Sequence, residues 1–412
     1  MSRLLKKVDA LQMSRLNKRE VLQLIRNEGI ISRTDIGNIT GLTAPTVSRI
    51  VDQLVNQEKL VEYIGVGESS GGRRPVMLQF NGKTNYVIGI DLGATFIRGV
   101  LSDFEANFLT EIHVPTQIHA GFEAIMDQIA ELVDKLLHRK DLDSSQIRGI
   151  GIAIAGLVNK QNGIVDYSPD FGWRNVNVRE SLGKRIKIPF IFDNSSRLMA
   201  LGEHEYGEGR KYDNMIVLNI GYGIAAGIIV EGVLLKGAVG YAGEFGHTVA
   251  ELNSKVPCKC GAFGCLEAMA SGRRIAQLGQ EAAQKHPENP LFKRANGNIS
   301  KIDAKMVAAA AKEGDADALR IFEEITAYIG VGIANLVNLL DPEHIYIGGG
   351  VSLSGDVFFD NVTKAITKYL ISPDKSVQIS PATFGDNASL IGAFSLIANK
   401  ILNFDTYEEV LA

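Results

Sequence analysis

The sequence predicts an α/β body behind a small N-terminal winged helix-turn-helix. Three observations predict it. From Asn85 onward, strand-like apolar runs alternate with helical stretches. Ahead of them, a short helix, a glycine turn and a longer helix follow one another. A glycine-rich hairpin pattern stands between the two parts. With 412 residues the chain has room for two or three domains. Its 45% apolar and 22% charged content is that of a globular protein. No run approaches the ~18 apolar residues that span a bilayer, and the first residues are polar and basic, without a signal-peptide core. Membrane insertion is therefore not expected, and the cytoplasm is the expected location.

The head is read element by element. Residues 17–28 place Val21, Leu22, Leu24 and Ile25 on one helical face, and Gly29 ends that helix. Ser32, with Asp35 three positions on, opens a second helix in a capping-box pattern, which stops at Gly41. A third begins near Thr43, with Pro45 in its first turn, where its missing N–H costs nothing. Val47, Ile50, Val51, Leu54 and Val55 point inward from it. Leu60–Gly65 and Pro75–Phe80 read as two strands around a tip at Gly67–Gly72, and Asn81–Thr84 as a linker.

Charge distribution adds a function class. Residues 1–82 hold 12 Lys and Arg against 8 Asp and Glu, whereas the remainder holds 31 against 39. A basic head on an acidic body fits a nucleic-acid contact confined to the head. In a helix-turn-helix the third helix enters the major groove. Ala44, Thr46, Ser48 and Arg49 are its outward candidates, and Arg73 and Arg74 on the glycine-loosened wing suit a narrow minor groove. Operator DNA is the expected partner.

In the body, strands are expected at Tyr86–Asp91, Ile97–Ser102, Gly149–Ile154, Phe190–Phe192, Met215–Ile220 and His344–Ile347. No fixed-period repeat is visible. The three cysteines, Cys258, Cys260 and Cys265, lie within eight residues of each other, eleven and more positions after His247. One imidazole and three thiolates make a closed tetrahedral set for zinc, with no position left for a catalytic water, so a structural zinc is expected. Glu244 and Glu267 flank this cluster. Carboxylates and an imidazole there can grip sugar hydroxyls, or serve as outer partners of the metal.

Glu244-Phe-Gly-His247 followed by Cys258-x-Cys260-Gly-x-x-Gly-Cys265-x-Glu267 resembles the signature of the ROK family, named for its repressors, open reading frames and sugar kinases. The resemblance covers nearly the whole chain, and the winged helix resembles that of the family's repressor branch. It implies a two-lobed, actin-like sugar-kinase fold: residues 1–82 as the DNA-binding domain, 83–205 plus 385–412 as a smaller lobe, and 206–384 as a larger lobe with the zinc site. It implies that Glu244, His247 and Glu267 bind sugar hydroxyls. Ser168–Trp173 resembles the family's sugar-contacting loop, with Asp170 where Asn is usual. Asp91, Gly93 and Thr95 resemble a first phosphate loop, Gly221 and Gly223 a second, and Gly349 the adenosine-side glycine motif. Tyr222 and Ala225 crowd the second loop.

One departure bears on activity. Family kinases take the sugar's proton with the Asp of a segment resembling NDANAAALGE. Here Asn194–Glu203 aligns so that Asn194 keeps the Asn, as a sugar ligand, and Ser195 replaces the Asp. Asp193 is the alternative base, and it requires a shifted register. The resemblance therefore implies a repressor that senses a sugar or sugar phosphate between its lobes without phosphorylating it, and a symmetric homodimer or homotetramer on DNA. The alternatives are an ATP-dependent sugar kinase with a regulatory role, and control by a sugar-transport protein.

Overall fold

A computed structural model describes residues 10–67, 74–138, 143, 146–159, 162–285, 289–372 and 377–404. The head runs α1 (Ala10–Glu28), β1 (Ile30–Ser32), α2 (Arg33–Thr40), α3 (Ala44–Asn56), β2 (Val61–Val66) and β3 (Val76–Phe80). The Ser32 side chain accepts from the Asp35 N–H, and Gly41 closes α2 at φ +70°. Pro45 sits in the first turn of α3, whose Val47, Ile50, Val51 and Leu54 are buried. The wing contains a strand the sequence did not reveal: three-residue β1 pairs with β3, giving the order β1-β3-β2. The outer part of the wing, with Arg73, lies outside the described residues.

The smaller lobe follows with β4 (Tyr86–Leu92), β5 (Phe96–Asp103), β6 (Phe108–Pro115), α4 (Phe122–Leu137) and β7 (Ile147–Ile154). A small antiparallel sheet, β8 (Leu157–Asn159), β9 (Ile164–Ser168) and β10 (Trp173–Asn177), was not foreseen. It is followed by α5 (Val178–Arg185), β11 (Phe190–Asn194) and α6 (Ser195–Tyr206). The larger lobe carries β12 (Met215–Ile220), β13 (Ile224–Val230), β14 (Val233–Leu234), α7 (Leu266–Ala270), α8 (Gly272–Lys285), α9 (Pro290–Arg294) and α10 (Ala304–Lys312). It continues through α11 (Ala316–Leu340), β15 (His344–Gly348), α12 (Asp356–Ile366) and β16 (Gln378–Pro381). The last element, α13 (Ala388–Leu402), returns to the smaller lobe.

The two central sheets repeat one topology. One has the order β11-β7-β4-β5-β6, the other β16-β15-β12-β13-β14. In each, an antiparallel meander comes first and two parallel strands then add beside its first strand. No repeat shows in the sequence because only burial is shared. β4 and β7 are buried almost throughout and read as continuous apolar runs, whereas edge strand β6 alternates. Each meander's first hairpin turns toward the cleft, at Gly93–Thr95 in one sheet and Gly221–Gly223 in the other.

Asn81–Thr84, read from the sequence as a short linker, is tightly packed. Gly82 is buried in a 3-10 turn, and head and body share one apolar core. Val21, Leu22 and Ile25 of α1 pack in the same cluster as Phe104 and α13 residues Phe394, Ile397, Ala398 and Leu402. Gly89 permits the close approach of α13 to β4, since a Cβ there would stand 3.1 Å from the Leu390 carbonyl oxygen. A polar bond reinforces the junction, since Arg148 donates to the Glu58 carbonyl at 3.2 Å, while within the head Lys18 Nζ lies 2.8 Å from Glu58 Oε1.

Candidate functional site: a cleft between the lobes

A cavity of about 540 Å³ is lined by Asp170, Asn194, Glu244, His247 and Glu267 together. Five positions spread over nearly a hundred residues thus converge on one space. Asn194 ends β11 and caps α6: its Oδ1 accepts from the Ser196 and Arg197 N–H groups at 2.9 and 3.1 Å. Its Nδ2 donates to the Gly156 carbonyl at 2.9 Å, so capping holds the amide in place at the cavity wall. Glu267, in the first turn of α7, accepts from the Ile224 N–H at 3.1 Å and has Arg273 Nη2 at 3.6 Å. Burial pushes the Glu244 carboxyl above its usual range, with His247 and Arg197 pulling it back. Asp170 lines the cavity while paired with Lys259 Nζ at 3.0 Å.

His247, Cys258, Cys260 and Cys265 bring four ligand atoms within 4.8 Å of one another. Cys258 Sγ lies 3.6 Å from His247 Nδ1, and Cys260 Sγ 3.7 Å from Cys265 Sγ. A zinc–sulfur bond of ~2.3 Å gives a tetrahedron with edges of ~3.8 Å, so the set fits that ion. Burial pushes the Cys258 thiol up, and Cys265 to about 12. Such thiols stay protonated near neutral pH unless a cation displaces the proton. The cluster can bind a metal.

A second cavity of about 220 Å³ adjoins, lined by Asp91, Gly93 and Gly349 among others. Gly349 has φ +84°, and a Cβ there would meet the Ile220 carbonyl oxygen at 2.6 Å. Gly221 and Gly223 line the larger cavity instead, and Thr95 is exposed outside both linings. Ser195 lines both cavities and so stands at their junction. Asp193 is fully buried: its Oδ1 accepts from Arg197 Nε at 2.9 Å, from Arg197 Nη2, and from the Asn194 N–H at 2.7 Å. Sequence reasoning missed Arg98, whose Nη2 lies 2.5 Å from Asp91 Oδ2 and 2.6 Å from the Asp386 carbonyl. The hairpin register contained the signal, since Asp91 and Arg98 face each other directly across β4 and β5.

On the head, Ala44 and Arg49 are exposed and Thr46 and Ser48 half-buried along α3. Exposed Arg74 joins Arg33, Thr34 and Tyr63 around a concavity beside the wing. Arg33 was not foreseen. It donates to Asp52 at 2.7 Å and to the Tyr63 hydroxyl at 2.6 Å.

A winged-helix head sharing its core with a two-lobed body, whose cleft brings carboxylates, an amide and an imidazole together, defines a class: DNA-binding heads on sugar-kinase-like bodies. Residues 87–400 match the model of the ROK family, and residues 15–60 that of a winged helix-turn-helix DNA-binding domain. The chain belongs to the ROK family. It is 33% identical over 396 residues to the xylose repressor of Caldicellulosiruptor bescii, covering 96% of this chain and 98% of that one. A ROK family transcriptional regulator homologous to the E. coli Mlc protein superposes with a TM-score of 0.84 at 25% identity, over 97% of this chain and 99% of that one. A ROK family glucokinase from Streptomyces griseus, in complex with glucose and AMPPNP, superposes with a TM-score of 0.69 at 31% identity, over 76% of this chain and 99% of that one. The part of this chain left uncovered by that kinase is about the size of the head. Among the described residues, no helix is long and apolar enough to cross a membrane.

Proposed function

We propose that the chain is a DNA-binding, sugar-responsive transcriptional repressor acting in the cytoplasm on carbohydrate genes. The observation that carries this reading is the convergence of Asp170, Asn194, Glu244, His247 and Glu267 on one cleft of a body that shares its core with a winged helix. Carboxylates, an amide and an imidazole together satisfy several hydroxyls by charge-assisted bonds. Ala44, Thr46, Ser48 and Arg49 of α3 read the major groove, and Arg73 and Arg74 take the adjoining minor groove or phosphates. A symmetric homodimer or homotetramer presents two heads to half-sites. His247, Cys258, Cys260 and Cys265 hold a structural zinc that fixes the loop carrying His247 and the start of α7. The repressor-named relative supports this reading over its whole length.

The body serves as a sensor, not as a kinase. Ser195 occupies the junction of the two cavities, where a proton acceptor is needed, and serine does not act as a base near neutral pH unaided. Asp193, the alternative base, is committed to Arg197. Asp91 already has a cation in Arg98, where phosphoryl transfer uses acidic groups to hold metal ions. The remnants at Gly93, Thr95, Gly221, Gly223 and Gly349 serve as turns.

The test is fluorescence anisotropy on labelled DNA from upstream of the chain's own gene, with D-xylose, D-glucose and their oligosaccharides as probes. The expected result is tight binding by the protein alone and a change in affinity with at least one sugar. Absence of specific binding at physiological salt, with the protein folded, contradicts the repressor reading.

A further inference from the structure

Asn194, Glu244, His247 and Glu267 line the 540 Å³ cavity together with Asp170, and that volume exceeds what one pyranose fills. A further group of residues shares Asp170 with that set. Tyr222, in the turn between β12 and β13, lines the cavity and is 61% exposed. Lys259 Nζ lies 4.3 Å from its ring centroid and 3.0 Å from Asp170 Oδ1. The Lys259 carbonyl accepts from the Tyr167 hydroxyl at 3.1 Å. An aromatic ring, a carboxylate and an ammonium thus surround one spot, contributed by the β9–β10 turn of the smaller lobe and by two loops of the larger one.

The charges there are balanced. His247 is the one basic side chain among the described residues lining the cavity. Lys259 borders it paired with Asp170, and Arg273 lies 3.6 Å from Glu267. A phosphate monoester needs cations whose charge is not already spent. A neutral sugar ring needs a flat apolar surface for its C–H face and a donor–acceptor pair for its hydroxyls, and Tyr222 with the Lys259–Asp170 pair supplies both.

We propose that Tyr222, Lys259 and Asp170 form a second saccharide subsite, so that the chain responds to a neutral disaccharide, or the end of a longer saccharide, in preference to a monosaccharide or a sugar phosphate. This rests on the sugar-sensing reading of the cleft. The inner ring is held by Asn194, Glu244, His247 and Glu267, and the outer ring lies against Tyr222 beside the second phosphate-loop turn, where Lys259 and Arg273 also approach the tyrosine ring. The crowding that obstructs a phosphoryl group becomes a contact surface for sugar.

Calorimetry on the full-length protein tests it. The probes are D-xylose, D-glucose, the β-1,4-linked disaccharides xylobiose and cellobiose, and glucose 6-phosphate. One disaccharide is expected to bind about tenfold or more tighter than its monosaccharide, the gain from burying a ring face on tyrosine. Tyr222→Ala removes that gap and leaves monosaccharide affinity within about twofold; Tyr222→Phe keeps the gap. Lys259→Ala weakens the disaccharide more than the monosaccharide. Equal affinity for mono- and disaccharide, tighter binding of glucose 6-phosphate, or equal weakening of both sugars by Tyr222→Ala overturns the second subsite and leaves the sugar-sensing reading standing. Failure of every saccharide to bind the folded protein overturns both.

Discussion

Ser195→Asp restores a carboxylate where the cleft lacks one. Ser195 is the first residue of α6, immediately after the N-cap Asn194, and it lines both cavities. A carboxylate in the first turn of a helix gains about 0.3–1 kcal/mol from the helix dipole, so the variant is expected to fold and melt at or slightly above wild type. A positioned base is worth about 10²–10⁴ in rate, or about 2.7–5.4 kcal/mol of barrier. The gain falls at the low end, about 10², because Arg98 still neutralises Asp91 and Tyr222 still stands in the second loop. The assay is ADP release with ATP, magnesium and a panel of hexoses, pentoses and their disaccharides. Wild type is expected at background and the variant measurably above it. Wild-type turnover at an ordinary enzymatic rate of about 1 s⁻¹ or more refutes the reasoning. If Asp193→Asn then abolished that turnover in a protein still folded, Asp193 would be the base despite its bonds to Arg197. The folding control matters, since leaving Arg197 buried and unpaired costs about 3–5 kcal/mol.

Three further outcomes follow from the same geometry. Elemental analysis of purified protein is expected to give one zinc per chain. Cys265→Ser loses it and weakens sugar binding about tenfold or more, because His247 and Glu267 lose their anchored loop; unchanged sugar affinity in zinc-free protein counts against this role. Glu203 is fully buried on α6, accepts from the Thr383 N–H at 2.9 Å, and has its carboxyl pKa raised by burial. A raised folded-state pKa gives stability that is present in full below the ordinary 4.5 and lost as pH climbs through the raised value. Glu203→Gln therefore flattens the Tm profile from pH 4.5 upward, and parallel profiles for the two proteins contradict it. Tyr206 ends α6, with its ring centroid 5.1 Å from that of Phe394, and burial pushes its phenol to about 12 while the Arg26 guanidinium beside it pulls the other way. Tyr206→Phe costs about 1 kcal/mol at that contact. It is expected to cut the ratio of operator affinities without and with sugar about fivefold, leaving sugar affinity itself unchanged; an unchanged ratio removes Tyr206 from the coupling.

The head was legible because local rules fix it. Ser32 and Asp35, Gly41, and Pro45 in its first turn mark helix ends through backbone chemistry that acts over a few residues. The metal cluster was legible because Cys is scarce and tightly spaced. What stayed hidden depends on contacts made at long range. β1 is too short to carry a period, and it exists only because β3 accepts it. The matching topology of the two sheets rests on pairing order, which no residue pattern states. Lys259 on Asp170 and Arg98 on Asp386 link segments separated by 89 and 288 positions. The commitment of Asp193 lies between these cases. An i,i+4 acid–arginine pair was in plain view, but only its complete burial shows how firmly Asp193 is held by Arg197.

The fold also suggests how a kinase-like body moves a DNA-binding head. Helix α6 begins at the cavity, where Asn194 caps it, and ends at Tyr206 against Phe394 and Arg26. Helix α13 begins beside the second cavity, where Asp386 and Asn387 hold Arg98, and ends with Leu402 in the core of the head. The two helices pack along each other, and both span from cleft to head. On the proposed sugar-sensing reading, a sugar that draws Glu244, His247 and Glu267 of the larger lobe toward Asn194 of the smaller one pulls on the origin of α6. Packed helices shift as units and do not bend continuously, so a displacement at Asn194 reappears at Tyr206. In a kinase, the same closure brings two substrates together. Here Ser195 stands where the resemblance places the kinase's carboxylate, and a head shares its core with the far ends of the two helices. In the proposed homo-oligomer, the closure energy then acts on the spacing of the heads.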